Sequence, residues 1–212
     1  MKVALALVLC YLIGSIPFGV IMGRLRGIDI QKVGSGNIGA TNVLRSIGVV
    51  PAIIVFTLDA FKGCAAVLIC ESLNMGHVGQ YIVVAGALLA IMGHSFSIFL
   101  KFTGGKAVST SLGVIIGLNW TIALIAFVIW VVVVAVTRYV SLGSMIGAIS
   151  VPAMMFFWKS QHVAPAYLAL AILASLGIVI KHKSNIRRLL SGTESKIGQK
   201  VDTTKEKEAV SK

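Results

Sequence analysis

Apolar runs at 3–22, 49–70, 78–100, 107–118, 121–136, 142–158 and 163–180 fill most of this 212-residue chain, and the breaks between them are short and polar. A run of about 20 apolar residues matches the hydrocarbon core of a bilayer when helical. Composition closes the soluble alternative: 57% of residues are apolar and 12% charged, against about 45–50% and about 25% in soluble domains. A globule of this size cannot bury so much apolar surface. The expected fold is therefore an all-α polytopic membrane protein with about seven transmembrane helices, some of them short.

The break at Asn119–Trp120 is the open step. Without it, 107–136 is a single helix and the count drops to five or six. With it, sixteen of the nineteen Lys and Arg fall on one side, Lys2 and Lys159 on the other, and Lys62 within a span. Cytoplasmic loops collect Lys and Arg, so the amino terminus is expected outside and the tail inside. The net charge of +12 then reflects topology, not nucleic-acid binding. Residues 1–198 form one membrane domain, and 199–212 read as a polar, disordered cytoplasmic tail. The first run begins like a signal peptide, but it lacks an A-x-A-like cleavage site and continues through Ile16-Pro17-Phe18 to Met22, as a retained span would. Cys10, Cys64 and Cys70 all lie in apolar stretches and read as small core residues. The scattered acidic residues offer no metal site.

Three polar segments gather on the expected cytoplasmic side. The first is Gly34-Ser35-Gly36-Asn37-Ile38-Gly39-Ala40-Thr41-Asn42, followed by Arg45. Its glycines permit positive φ and let several N–H groups face one point. Ser35, Asn37, Thr41 and Asn42 add neutral donors, Arg45 adds a fork suited to phosphate, and a helix over 40–47 would turn its first N–H groups to an anion. It is neither a P-loop nor a dinucleotide fingerprint. A merely flexible loop has the same composition.

The second segment runs from Gly93-His94-Ser95 to Gly104-Gly105-Lys106. It sets a cation at the start of a short helix, an unfavourable place unless an anion joins it; a snorkelling lysine is the plainer reading. The third, Lys181 to Glu194, puts His182 and Asn185 on one helical face. Within the second span, Asp59 and Lys62 stand one turn apart and read as a structural ion pair. His94 reads as a packing histidine.

At these residues the chain resembles the bacterial membrane acyl-phosphate:glycerol-3-phosphate acyltransferases, the PlsY family. Ser15-Ile16-Pro17-Phe18-Gly19, the 35–45 run, the 93–106 run and His182 through Glu194 come in family order across 1–198. One departure is Ala107, where the family usually has glycine after Gly-Gly-Lys. The resemblance implies transfer of an acyl group from acyl phosphate to the 1-hydroxyl of glycerol 3-phosphate, giving lysophosphatidic acid and phosphate without a cofactor. It places the donor's phosphate on Gly36, Asn37, Gly39, Ala40, Thr41 and Asn42. Ser35, Arg45, Lys106, His182 and Asn185 would hold glycerol 3-phosphate with Ser141 nearby, and Ser35, Arg45, His182 and Asn185 would be catalytic. Gly104, Gly105 and Glu194 would be structural. Neither acyl-CoA nor acyl carrier protein would be the direct donor, and the soluble phosphate acyltransferase that makes acyl phosphate would be a partner. The site would face the cytoplasm from the inner membrane.

The residues themselves agree on one chemical point. Other glycerolipid acyltransferases use a His-x-x-x-x-Asp dyad, but Ile82, Phe99, Tyr167 and Arg187 follow the four histidines at that spacing. An acyl phosphate carries a good leaving group, so positioning and charge neutralisation can suffice. The departing phosphate would take the hydroxyl proton, with His182 as a hydrogen-bond donor; His182 as general base is the alternative. A phosphate-ester transporter also wants cations among membrane helices, but it should show internal repeats and a midplane site.

Overall fold

The computed structural model describes residues 1–158 and 164–199. They form ten α-helices: α1 (Lys2–Ser15), α2 (Phe18–Arg24), α3 (Ala40–Ser46), α4 (Val49–Glu71), α5 (Gly79–Ser95), α6 (Val108–Leu118), α7 (Trp120–Thr137), α8 (Val140–Phe157), α9 (Pro165–Lys181) and α10 (Lys183–Leu190). The expectations for Lys159 and for the tail from residue 200 onward lie outside the described residues.

Four helical segments are long and apolar enough to cross a membrane alone: α4, α5 with its preceding turn, α7 and α8. The α1–α2 and α9–α10 pairs, bent by 40° and 57°, bring the number to six when each is taken as one crossing. Proline causes the first bend. Pro17 holds Ile16 out of the helical region at ψ 117°, because its ring crowds the preceding residue. The eleven residues of α6 extend only about 16 Å, so this helix cannot cross alone.

The break before α7 is set by Asn119. It adopts an extended backbone, and its Oδ1 accepts from Ile122 N at 3.0 Å, which satisfies an otherwise orphaned helix N–H. Asparagine caps helices well and is a poor interior residue, so 107–136 is two helices.

Short α6 is held by close packing on α4. A Cβ on Gly63 would lie 2.0 Å from Thr110 O, and one on Gly113 would lie 1.7 Å from Ala60 O. In lipid, where helices gain little from apolar burial, such backbone approach drives association. The main core runs through Ala66, Val67, Ala87, Val114, Ile122 and Leu170. A second cluster of Val20, Ile28, Ile30, Val33, Ile38, Val43 and Val55 pins the loop between α2 and α3 onto the end of the bundle. Outward, Val131, Val132 and Val136 of α7 and Phe156 and Phe157 of α8 are exposed, as suits a lipid-facing surface. Cys10 and Cys70 are buried with sulfurs 3.7 Å apart, and all three cysteines are free.

Orientation can be read by labelling. Arg138 and His77 are exposed and lie at loops that charge counting assigns to opposite faces; Ser141 is buried and would be a poor reporter. In a Cys64→Ser background, a membrane-impermeant maleimide applied to intact cells should modify His77→Cys and spare Arg138→Cys. Modification of the second would reverse the topology.

Candidate active site

The polar segments meet in one cavity of about 90 Å³ at the end of the bundle where α3 lies. Its walls include Ser35, Asn37, Gly39, Ala40, Thr41, Asn42, Arg45, Lys106, Ser141, His182, Asn185 and Glu194. Residues more than 140 positions apart thus face the same space.

The loop before α3 is a folded cradle, not a flexible connector. Asn42 is buried; its Nδ2 donates to the carbonyls of Ile30 and Val33, each at 3.0 Å, and its Oδ1 accepts from Ser35 N at 3.0 Å. Its amide hydrogens are engaged within the loop, so Asn42 shapes the cradle instead of offering those donors to a ligand. Gly34 and Gly36 have φ of 59° and 67°, the left-handed region in which glycine is unstrained.

Lys106 precedes α6 and hydrogen-bonds to Asn185 Oδ1. Gly104 and Gly105 have ordinary φ; they are small because the turn lies against the end of α5. A Cβ on Gly105 would sit 2.2 Å from His94 Nε2. Ala107 is left-handed at φ 56°, a conformation that disfavours any residue with a Cβ. The alanine here therefore holds this backbone at a cost in strain that a glycine would not bear. Burial, with the charge of Arg188, lowers Lys106 to about 8; Glu194 opposes this and Arg45 adds to it.

His182 lies beyond α9, at the hinge to α10. Its Nδ1 is 2.8 Å from Ile178 O. A carbonyl only accepts, so Nδ1 carries the proton and Nε2 presents its lone pair. Burial, then the Lys106 charge, lowers the imidazole to about 4, so it is neutral at pH 7. In this tautomer His182 donates through Nδ1 to the Ile178 carbonyl and leaves Nε2 as an acceptor, where the sequence alone suggests a donor to the substrate.

Glu194 closes the site. Its Oε1 accepts from Ser141 Oγ at 2.7 Å and Asn185 Nδ2 at 2.6 Å, and Arg188 Nε donates to Oε2 at 2.7 Å. Burial pushes the carboxyl up, but these bonds and the Arg188 charge outweigh it and hold the group below its ordinary value. The segment after it is tied across the end of the bundle: Arg45 Nη2 donates to Ser195 O at 2.9 Å, and Arg138 donates to and Arg138 O accepts from Ile197 at 3.0 and 2.8 Å. Burial also lowers Arg45 from its ordinary value.

Sequence reasoning missed a second, apolar cavity of about 70 Å³, lined by residues including Leu112, Ile115, Phe127, Val151 and Ala174. Phe56, Val108, Trp130 and Ser144 belong to both cavities. These four lie on four different helices and share no local signal.

Among the described residues, a helical membrane fold thus joins a polar, glycine-rich cradle to an apolar cavity. The sequence matches the family described as glycerol-3-phosphate acyltransferase over residues 4–192. A glycerol-3-phosphate acyltransferase of Desulforamulus reducens is 49% identical over 90% of this chain and 92% of its own, and one of a Nostoc species is 45% identical over 94% and 93%. Crystal structures of PlsY, an integral membrane glycerol 3-phosphate acyltransferase, superpose with TM-scores of 0.86 (glycerol 3-phosphate form) and 0.84 (lysophosphatidic acid form). They are 35% and 34% identical and cover 93% and 94% of this chain and 96% and 97% of theirs. The chain belongs to the glycerol-3-phosphate acyltransferase family and is an integral membrane acyltransferase. The transporter alternative is set aside.

Glu194→Gln should lower the Tm in detergent, because one oxygen that accepts hydrogen bonds becomes a donor. Loss of a hydrogen bond to a charged group, about 1.5–3 kcal/mol, predicts a fall of roughly 3–12 °C for a chain of this size. A carboxyl lowered on folding contributes stability above its unfolded pKa and loses it as pH falls through the folded one. The gap between variant and wild type should therefore close in acid, and a gap that is constant with pH would count against the charged role.

Proposed function

We propose that the protein transfers a fatty acyl group from acyl phosphate to the 1-hydroxyl of glycerol 3-phosphate, yielding lysophosphatidic acid and phosphate. The observation that carries this reading is the shared wall of the two cavities, Phe56, Val108, Trp130 and Ser144. It joins an apolar slot to a polar site, which supports an acyl chain in the first and a phosphate in the second. The charge distribution supports a cytoplasm-facing site in the bacterial inner membrane. The reaction commits glycerol 3-phosphate to phospholipid synthesis. The soluble enzyme that makes acyl phosphate is the partner this donor requires, in place of acyl-CoA or acyl carrier protein.

The cradle around Gly36, Asn37, Gly39, Ala40 and Thr41 receives the donor's phosphate on backbone N–H groups, with Asn42 fixing its shape. Arg45 and Lys106 take the phosphate of glycerol 3-phosphate, Ser35 and Asn185 orient it, and Ser141 acts from behind through Glu194. His182 Nε2 accepts from the 2-hydroxyl of glycerol 3-phosphate, which leaves the proton of the reacting 1-hydroxyl facing the donor's phosphate. The 1-hydroxyl oxygen then forms a bond to the acyl carbon, the bond from that carbon to the phosphate oxygen breaks, and the departing phosphate takes the proton. A base with a pKa of about 4 is poorly matched to that proton, as general bases work best near the operating pH.

Lys106→Met should raise the Michaelis constant for glycerol 3-phosphate by roughly one to two decades, the equivalent of about 1.5–3 kcal/mol for a charge-assisted contact. Lys106 near 8 is protonated below that pH and neutral above it. In wild type the same constant should therefore be flat near pH 7 and rise above about pH 8, up to tenfold per pH unit; Lys106→Arg should lack that rise. Unchanged constants in inserted Lys106→Met would leave this lysine an interfacial anchor.

For His182, glutamine keeps a hydrogen-bond acceptor but cannot act as a base. His182→Gln should retain turnover clearly above His182→Ala, with most of its defect in the Michaelis constant for the acceptor. Wild type should show no acidic limb near the ordinary histidine value. Equal losses of about 10²–10⁴-fold in turnover for both variants would instead assign His182 as general base.

A further inference from the structure

Asp59, Lys62 and His94 are buried together beside the cradle and have no part in the chemistry above. Lys62 Nζ is 2.7 Å from Asp59 Oδ1, 2.8 Å from His94 Nδ1 and 3.1 Å from Ile16 O at the α1–α2 bend. No side chain of the three is more than 4% exposed. An ammonium only donates, so His94 Nδ1 accepts from Lys62 and the orientation of the imidazole is fixed. An ion pair within α4 would need Asp59 alone; Lys62 reaches past it to α5. Buried pairs of this kind add little net stability, whereas three directed contacts constrain geometry closely.

The other side of the His94 ring supports the lysine turn. Its Nε2 occupies the space a side chain on Gly105 would need, 2.2 Å from that Cβ position, and Gly105 N donates to His94 O at 3.0 Å. Lys106 is the next residue. Asp59 and His94 also line the polar cavity, where the Lys62 charge offsets a carboxylate that would otherwise repel phosphate.

We propose that Lys62 is a positioning residue: by holding the His94 ring it sets the Gly104-Gly105-Lys106 turn, and through it the place where the Lys106 ammonium meets the acceptor's phosphate. This rests on the assignment of Lys106 to glycerol 3-phosphate.

Removing Lys62 alone would strand Asp59, so the test replaces both, Asp59→Asn with Lys62→Met, in the full-length protein in micelles. His94→Gln, which loses the acceptor at Nδ1, provides the second arm. Each should raise the Michaelis constant for glycerol 3-phosphate about tenfold, with turnover and the constant for acyl phosphate within about threefold of wild type. In a Lys106→Met background each should add little, because residues acting through one group are not additive. Additive losses, equal losses for both substrates, an unchanged acceptor constant, or failure of both variants to insert would overturn the inference. If Lys106→Met by itself leaves the acceptor constant unchanged, the assignment of Lys106 fails instead, and the single-variant constants still report on Lys62.

Discussion

Hydrocarbon offers no hydrogen bonds, and the other features of this structure follow from that constraint. Each polar group carried into the bilayer must find a partner in the protein, at a cost of several kcal/mol if it does not. The backbone meets this with helices. The ionisable side chains meet it in clusters: Asp59 with Lys62 and His94, and Glu194 with Arg188, Asn185 and Ser141. After these pairings, the cavity still holds the positive charges of Arg45 and Lys106. Burial first, and then the neighbouring positive charges, lower Lys106 from its ordinary value.

Satisfying the backbone also decides where the chain departs from regular helix. Pro17 bends the first crossing, Asn119 starts a new helix, and Arg138 turns the chain between α7 and α8 at φ 64°. Short α6 is tolerated because its ends meet protein, with Gly63 and Gly113 bringing it onto α4. Its shortness places Lys106 within the bundle's end instead of at the lipid surface. The site and the irregular helix thus have one cause.

Closure depends on the chain after the last crossing. The hinge at His182 redirects α10 so that His182 and Asn185 both face the cavity. Glu194 and Ser195 then return to Ser141, Asn185 and Arg45. The carboxylate thereby ties together groups on α8 and α10.

Much of the site was legible because glycines, single cations and His182 with Asn185 at i, i+3 are conspicuous in an apolar sequence. The helical class and the break weighed at Asn119 follow from the same local rules, whereas the break at Pro17 falls inside a run that the sequence analysis takes as one span. The direction of the His182 hydrogen bond was not legible, since it depends on the Ile178 carbonyl one turn back and on a hinge the sequence does not mark. The joining of Asp59 and Lys62 to His94 was equally hidden, as no local pattern links α4 to the end of α5. The apolar cavity is assembled from residues on several helices. By itself the sequence determined the solvent, the helical class and the polar segments, because each depends on neighbours within a turn or two. Tertiary structure alone decided which of those polar groups meet, which protons they hold and where the apolar slot opens, because these depend on contacts between helices distant in the chain.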